Sequence, residues 1–483
     1  MANAPAPISL VWFRDDLRLS DHPALDDAGR SGAAVVCLYV LDEESAGLRP
    51  LGGAARWWLA QSLRSLSADL AARGGVLILR RGPAARIVAE VAREAGAVRV
   101  SWNDVPNRPA RAVADDLAAR LGDLGVAAQC CPGDLLAAPA TVRTQQGRGL
   151  RVFTPFWKRV LALGDPPQPL TAPKALCSVP SLASDTLDDW KLEPTRPDWA
   201  GGLRARWQPG EAAAQRGLQH FLHGAIAGYA TERDRPDRVA TSTLSPHLRF
   251  GEISPRQVWH AARFAAAERP AIAADVDKFL SELGWREFCR HLLFDNPDLA
   301  TRNLQPAFDR FPWTTDPIAL RAWQRGRTGY PLVDAGMREL RLTGVMHNRV
   351  RMVAASFLVK HLLLDWRCGE AWFWDTLVDA DPASNPANWQ WVAGCGADAA
   401  PYFRVFNPIL QGERFDAEGD YVRRFIPEIA GLSNKSIHQP WTATPLELEA
   451  AGVTLGDTYP NPIVDHRAAR QRALAAYATV RNN

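Results

Sequence analysis

Residues 8–41 read ISLVWFRDDLRLSDHPALDDAGRSGAAVVCLYVL, and the texture of the stretch changes twice. ISLVWF (8–13) is an apolar run of strand length, HPALDDAG (22–29) has apolar residues at helical spacing, and AAVVCLYVL (33–41) is strand-like again. The same alternation continues to residue 130. GVLILR (75–80), AVRVSW (97–102) and VAAQC (126–130) read as strands. RWWLAQSLRSLSADLAARG (56–74), PAARIVAEVAREAG (83–96) and RPARAVADDLAARLGDLG (108–125) read as the helices between them. Strand–helix alternation of this kind predicts right-handed crossovers, hence an α/β domain with a five-stranded, doubly wound parallel sheet. Neither a G-x-G-x-x-G after the first strand nor a Walker A sequence is present, so the architecture alone says little about a nucleotide.

At 483 residues the chain is too long for one ordinary core. Its 47% apolar and 23% charged content places it among globular proteins. A formal net charge of +3 means that any nucleic-acid binding must rest on a local basic patch. Seven scattered cysteines, without C-x-x-C or paired zinc spacing, suit a reducing cytoplasm and argue against a metal or iron–sulfur site. MANAPAPISL has no signal-peptide character, and no apolar run reaches membrane-span length. The expectation is a cytosolic protein with no membrane association.

Eleven of the 36 prolines fall between residues 132 and 209, which reads as a long connector wrapping one domain on its way to the next. Beyond 210 strand patterns fade. Amphipathic helices follow at 211–230, 254–268, 275–295, 345–366 and 466–481. The predicted domains are therefore 1–135 (α/β), 136–209 (linker) and 210–483 (all-α). Ten of the 18 tryptophans lie in that last part, which directs the search for chemistry there.

Four stretches stand out. In VATSTLSPHLRFGEISPRQ (239–257), Thr241, Ser242, Thr243 and Ser245 gather hydroxyls and backbone N–H groups ahead of a helix starting near Ser254; such a turn can cradle a phosphate or serve as an ordinary cap. In KFLSELGWREF (278–288), Phe279, Glu282 and Arg286 share a helix face beside Trp285, with Glu282 and Arg286 spaced as an i, i+4 ion pair. In VMHNRVRMVAAS (345–356), Asn348 with Met352 and His347 with Arg351 form two stripes on an otherwise apolar helix; Asn348 reads as a mid-helix residue whose propensity cost something must offset. In DADPASNPANWQWVAG (379–394), Asp379, Asp381 and Asn385 lead into Trp389 and Trp391. Two residues apart on a helix is a rotation of about 200°, so those two indoles cannot serve one surface.

Taken in order, TSTLSPHLRFGEISP, WREFCRHLL, MHNRVRM and WQWVAGCGADAAPYFRVFNP resemble the DNA photolyase/cryptochrome family. The likeness runs from VWFRDDLRLSDHPAL (11–25) to YPNPIVDHRAAR (459–470). It implies an α/β antenna domain and an all-α domain holding FAD. By the same resemblance, Tyr229 and Thr241, Ser242, Thr243, Leu244 and Ser245 clamp the FAD phosphates and ribityl chain, and Phe279 lines the cofactor site. Arg286, Arg351, Asp379 and Asp381 surround the flavin, and Asn385 faces flavin N5. Glu282 and Asn348 hydrogen-bond the pyrimidines, while Met352, Trp285 and Trp391 line a cavity for a flipped-out dimer. Trp389, Trp366 and Trp313 match an electron-transfer chain. Arg233, Arg349, Arg404 and Gln411 match DNA-contact positions, where Glu282, Trp285, Asn348 and Trp391 also act. The implied reaction is light-driven repair of cyclobutane pyrimidine dimers: excited reduced FAD lends an electron to the flipped dimer, the ring splits and the electron returns. The implied partner is UV-damaged DNA, met by a monomer in the bacterial cytosol or nucleoid.

A cryptochrome-like blue-light receptor shares the fold and the FAD. Asn385, the intact Glu282/Trp285/Met352/Trp391 set and a chain stopping soon after its last helix favour the photolyase instead. His347-Asn348 lacks the second histidine of (6-4) photolyases. LRPLGGAARWWLAQSL (48–63) suggests the bacterial class I and class III groups, where the antenna is methenyltetrahydrofolate, with 8-hydroxy-deazaflavin as the alternative. Asp42, Glu43 and Trp102 lie at strand ends where a second chromophore could sit.

Overall fold

The apolar runs of the N-terminal third pair as β1 (Ile8–Phe13), β2 (Ala34–Leu41), β3 (Leu77–Arg81), β4 (Arg99–Asn103) and β5 (Ala127–Cys131). All four pairings are parallel, and the order β3-β2-β1-β4-β5 reverses at β1. The sheet is the doubly wound one expected from the alternation. Its register is fixed by burial: β1 from Ser9 onward is closed to solvent, and Ile8 to Phe13 pair in step with Ala34 to Tyr39. Between the strands run α1 (Pro23–Arg30), α2 (Gly53–Ala71), α3 (Ala84–Ala95) and α4 (Arg108–Asp123). Leu10, Trp12, Val36 and Leu38 of the sheet pack with Val88, Val91, Leu117 and Leu121 of α3 and α4.

The structure is a computed structural model and describes residues 7–30, 33–177, 182–399 and 403–481. Two compact units arise: Met1–Ala200 with Trp207–Ala227 and Ser242–Pro297, and Gly201–Arg206 with Gly228–Thr241 and Asp298–Asn483. Thus the helices at 211–223 and 245–295 pack with the sheet unit. That unit adds α5 (Phe153–Leu161), α6 (Glu211–His223), α7 (Ser245–Arg249), α8 (Pro255–Glu268) and α9 (Ala273–Asp295). Ser254 caps α8 through a reciprocal capping box with Gln257.

The second unit is helical, as the resemblance implied for the C-terminal part. It contains α10 (Pro331–Thr343), α11 (Asn348–Ser356), α12 (Trp366–Thr376), α13 (Ser384–Ala393), α14 (Pro408–Phe415) and α15 (His466–Arg481). Its core joins Trp323, Tyr330, Phe357, Trp366, Trp389, Tyr421 and Tyr459. Among the described residues no helix is long and apolar enough to cross a membrane, and no three His, Cys, Asp or Glu gather as a metal site.

Two helices differ from the sequence reading. The stretch 345–366 is broken: α11 begins only at Asn348, with the His347 ring accepting from the Arg349 N–H as its cap. Phe357–His361 form a π turn, and Leu363 takes a left-handed φ of 54°. Asn348 is therefore a first-turn residue, where polar side chains are favoured, and carries no mid-helix cost. The stretch 211–230 stops at His223, where Gly224 ends the helix.

Candidate functional site

In the sheet-bearing unit, Ser242 to Ser245 form the polar turn. Thr243 holds a left-handed φ of 53°, a conformation β-branched residues rarely adopt. α7 fixes the turn from behind. His247 bonds Glu252, whose carboxylate also takes the Trp58 indole N–H at 3.1 Å and the Ser62 hydroxyl. The turn thus presents hydroxyls and amides from a rigid base, which suits a diphosphate.

α9 carries the next group. Phe279 is buried against Phe221, with ring centroids 4.8 Å apart. Glu282 pairs with Lys278 at 2.7 Å, one turn earlier, in place of the Glu282–Arg286 pair that the spacing suggested. Arg286 turns instead to Asp134 and to Glu287, the latter at 2.9 Å. Asp134 follows β5 and takes Arg290 as well, at 3.2 Å. Burial alone would raise the Asp134 carboxyl, but Arg286, Arg290 and Arg18 outweigh it and hold it down to about 2. Glu287, pushed up to about 7 by burial, accepts the Leu136 N–H at 2.7 Å. Trp285 is half-buried and stacks face to face on Phe153, with centroids 3.8 Å apart and planes 6° from parallel.

Asp42, Glu43 and Trp102 are engaged within the sheet domain. Asp42 accepts the N–H groups of Ala84 and Ser45, both at 2.9 Å. Glu43 pairs with Arg56 and Arg81. Trp102 is buried beside Trp12.

The helical unit carries the remaining residues. Tyr229 is buried with the Arg233 guanidinium over its ring, 5.7 Å from the centroid. Thr241 ends the same segment. Arg349 pairs with Asp234 at 2.5 Å and lies over Phe415. Asn348 is exposed and Met352 half-buried on the same helix. Arg351 grips both oxygens of Asp379, at 3.1 and 2.9 Å, and donates to the Met346 carbonyl. Asp381 caps α13, accepting the N–H groups of Ala383 and Ser384 at 2.8 and 2.7 Å. Asn385 is buried, and its amide nitrogen donates both to the Glu370 carbonyl at 3.0 Å and to its carboxylate at 2.9 Å. Both hydrogens being used, Oδ1 is the atom left to accept from a ligand.

The tryptophan pair divides as the helical period requires. Trp389 is buried against Trp323 and Phe373. Trp391 is half-buried, donates to the Asp398 carbonyl at 3.0 Å, and lines a small recess with Lys360, Phe403, Arg404 and Tyr477. Trp366 is fully buried, with its N–H on Asn303 at 2.9 Å, and Trp313 is half-exposed beside Phe311. Arg404 is exposed, and Gln411 lies on α14. Lys360 holds the Arg404 carbonyl and sits over the Phe403 ring at 4.3 Å; burial pushes its ammonium down to about 7.

Four supporting residues were missed from sequence: Asp134, Phe153, Glu370 and Lys360. None had a local signal, because each meets its partner at least 15 positions away.

Residues 9–174 match the family described as DNA photolyase, and residues 279–479 match the FAD binding domain of DNA photolyase. The deoxyribodipyrimidine photo-lyase of Agrobacterium fabrum is 52% identical over 487 residues, covering 100% of this chain and 99% of the relative. Cryptochrome-1 of Arabidopsis thaliana is 39% identical over 96% of this chain and 69% of its own length. The crystal structure of a bacterial class III photolyase from Agrobacterium tumefaciens is 50% identical and superposes with a TM-score of 0.96, covering 100% of this chain and 99% of that one. Fold, FAD-binding domain and full-length similarity agree: the chain belongs to the DNA photolyase/cryptochrome family.

Proposed function

We propose that this protein repairs cyclobutane pyrimidine dimers in DNA in a light-dependent, FAD-dependent reaction. The observation that carries the reading is the division of labour on α13. Asn385, Trp389 and Trp391 stand on one helix, with Asn385 oriented by Glu370, Trp389 sunk in the core and Trp391 at a recess. The donor set fits FAD. Hydroxyls and amides of Thr241 to Ser245, with Tyr229 and Leu244, suit its phosphates. Phe279, Arg286, Arg351, Asp379 and Asp381 supply its apolar wall and polar partners, and Asn385 Oδ1 is an acceptor for a flavin N–H. When bound and reduced, FAD supplies the light-absorbing electron donor.

The chain's own residues then hold the lesion. Trp285 and Trp391 offer aromatic faces, and stacking on them offsets the cost of lifting a poorly stacked dimer from the duplex. By the family resemblance Met352 also contacts the lesion. Asn348 and Glu282 hydrogen-bond the pyrimidines, with Glu282 stabilising the dimer's radical anion. Trp389, Trp366 and Trp313 relay electrons from solvent. Arg233, Arg349, Arg404 and Gln411 bind DNA near the lesion, giving salt-dependent, sequence-independent affinity. Functionally the chain divides as 1–135 for an antenna (methenyltetrahydrofolate, or 8-hydroxy-deazaflavin), 136–209 as linker and 210–483 for FAD and DNA. It acts as a monomer in the bacterial cytosol or nucleoid.

The test is repair of a thymine-dimer oligonucleotide by photoreduced protein, in blue light and in the dark. Loss of dimer only in light, abolished by Glu282→Ala and weakened by Trp391→Ala, is the expected result. Bound flavin with no repair in either condition would overturn the reading in favour of a light receptor.

A further inference from the structure

Residues 135–164 hold five cations (Arg143, Arg148, Arg151, Lys158 and Arg159) and no acidic residue. That local charge exceeds the net +3 of the whole chain. A run of solvated cations is by itself unremarkable, but this one is locked to the helix that carries Trp285. Arg143 pairs with Asp295 at 2.5 Å, at the C-terminal end of α9. Residues 143–149 close a tight turn, with the Thr144 N–H on the Arg148 carbonyl at 2.8 Å. Gly149 approaches Asp295 so closely that a Cβ would fall 1.8 Å from its carboxylate.

α5 continues the attachment. Phe156 and Val160 are buried, Phe153 stacks on Trp285, and Trp157 lies against Gly284, where a Cβ would meet its ring at 2.6 Å. This apolar face turns Lys158 and Arg159 outward, while Arg148 and Arg151 stand exposed before the helix. None of the four has an acidic partner among the described residues.

We infer that residues 148–159 form a further DNA-binding surface, in which Arg148, Arg151, Lys158 and Arg159 contact backbone phosphates and Phe153 braces Trp285 from behind. This inference rests on the photolyase reading, through Trp285 as a wall of the dimer cavity. Two features of the surface select nucleic acid: cations without acidic neighbours in the segment, and continuity with an aromatic ring offered to a base. The anchoring at both ends keeps the cations ordered, so binding phosphates costs little additional entropy.

The experiment measures binding of a dimer-containing duplex as a function of salt for three proteins. These are wild type; a quadruple variant, Arg148→Gln/Arg151→Gln/Lys158→Gln/Arg159→Gln; and a control neutralising the exposed Arg30, Arg86, Arg93 and Arg120 of the sheet domain. Each lost phosphate contact lowers the slope of log K against log salt by about 0.9. The quadruple variant should lose about 2 to 4 in slope and at least tenfold in affinity near 0.1 M salt, while repair per bound dimer and flavin absorbance stay at wild-type values. The control should move far less. Equal losses in the two variants overturn the inference, since only the long-range field would then matter. A wild type that neither binds nor repairs dimers overturns the photolyase reading and this surface with it.

Discussion

Gly369 lies so close to the Trp389 indole that a Cβ would sit 2.1 Å from Cη2 and 2.6 Å from the nearest Leu358 methyl. No side chain fits without moving the ring. Gly369→Ala should therefore lower stability by about 1–3 kcal/mol, the usual cost of overpacking, and shift the tryptophan emission of the helical unit; thermal unfolding with fluorescence checks both. A glycine whose φ is ordinary gives no sign in sequence that it matters. Asn385 is a similar case. Its place in the N-P-A-N-W-Q-W motif was legible, but the Glu370 bonds that orient its amide come from another helix, 15 residues back.

At the scale of elements, strands and amphipathic helices were readable because burial on one face imposes a period on the sequence. Breaks within them were harder to see. His347 starts α11 without a Gly or Pro, and the π turn at 357–361 is as apolar as the helix before it. Glu282 has two i, i+4 neighbours and pairs with Lys278, because Asp134, arriving from β5, offers Arg286 and Arg290 a buried carboxylate that spacing along one helix does not reveal. Asp134, the Leu136 N–H and the Ala137 carbonyl each bond to α9, to Arg286, Glu287 and His291 respectively. Asp134→Asn removes a carboxylate that two nearly buried guanidiniums share, while Arg286 keeps Glu287. It should cost about 3–5 kcal/mol, the typical penalty for breaking a buried pair, read as a lower midpoint in urea unfolding.

Over the whole molecule, titrating groups of opposite sign blur one another. Buried His291 and His361 and partly buried His347 are pushed down by desolvation to about 4, 3 and 4. Each adds stability that is fully present above the unfolded value near 6.5 and is lost as pH falls toward the folded one. Glu287 and Asp416, raised by burial to about 7 and about 6, act oppositely and lose their contribution as pH rises. A difference curve separates them. His291→Gln can keep the bond to the Ala137 carbonyl, so it should gain on wild type by up to about 2 kcal/mol between pH 7 and pH 4.5; unfolding midpoints across that range test it. The connectivity of the two units has a different kind of consequence. The chain passes from one to the other five times, at 200/201, 206/207, 227/228, 241/242 and 297/298. No single cut in the gene yields either unit whole. The sheet is finished by residue 131, yet its unit waits for residue 297 to leave the ribosome, and by then two pieces of the helical unit are already made. Two units interleaved along one chain in this way must be inherited, expressed and duplicated as one.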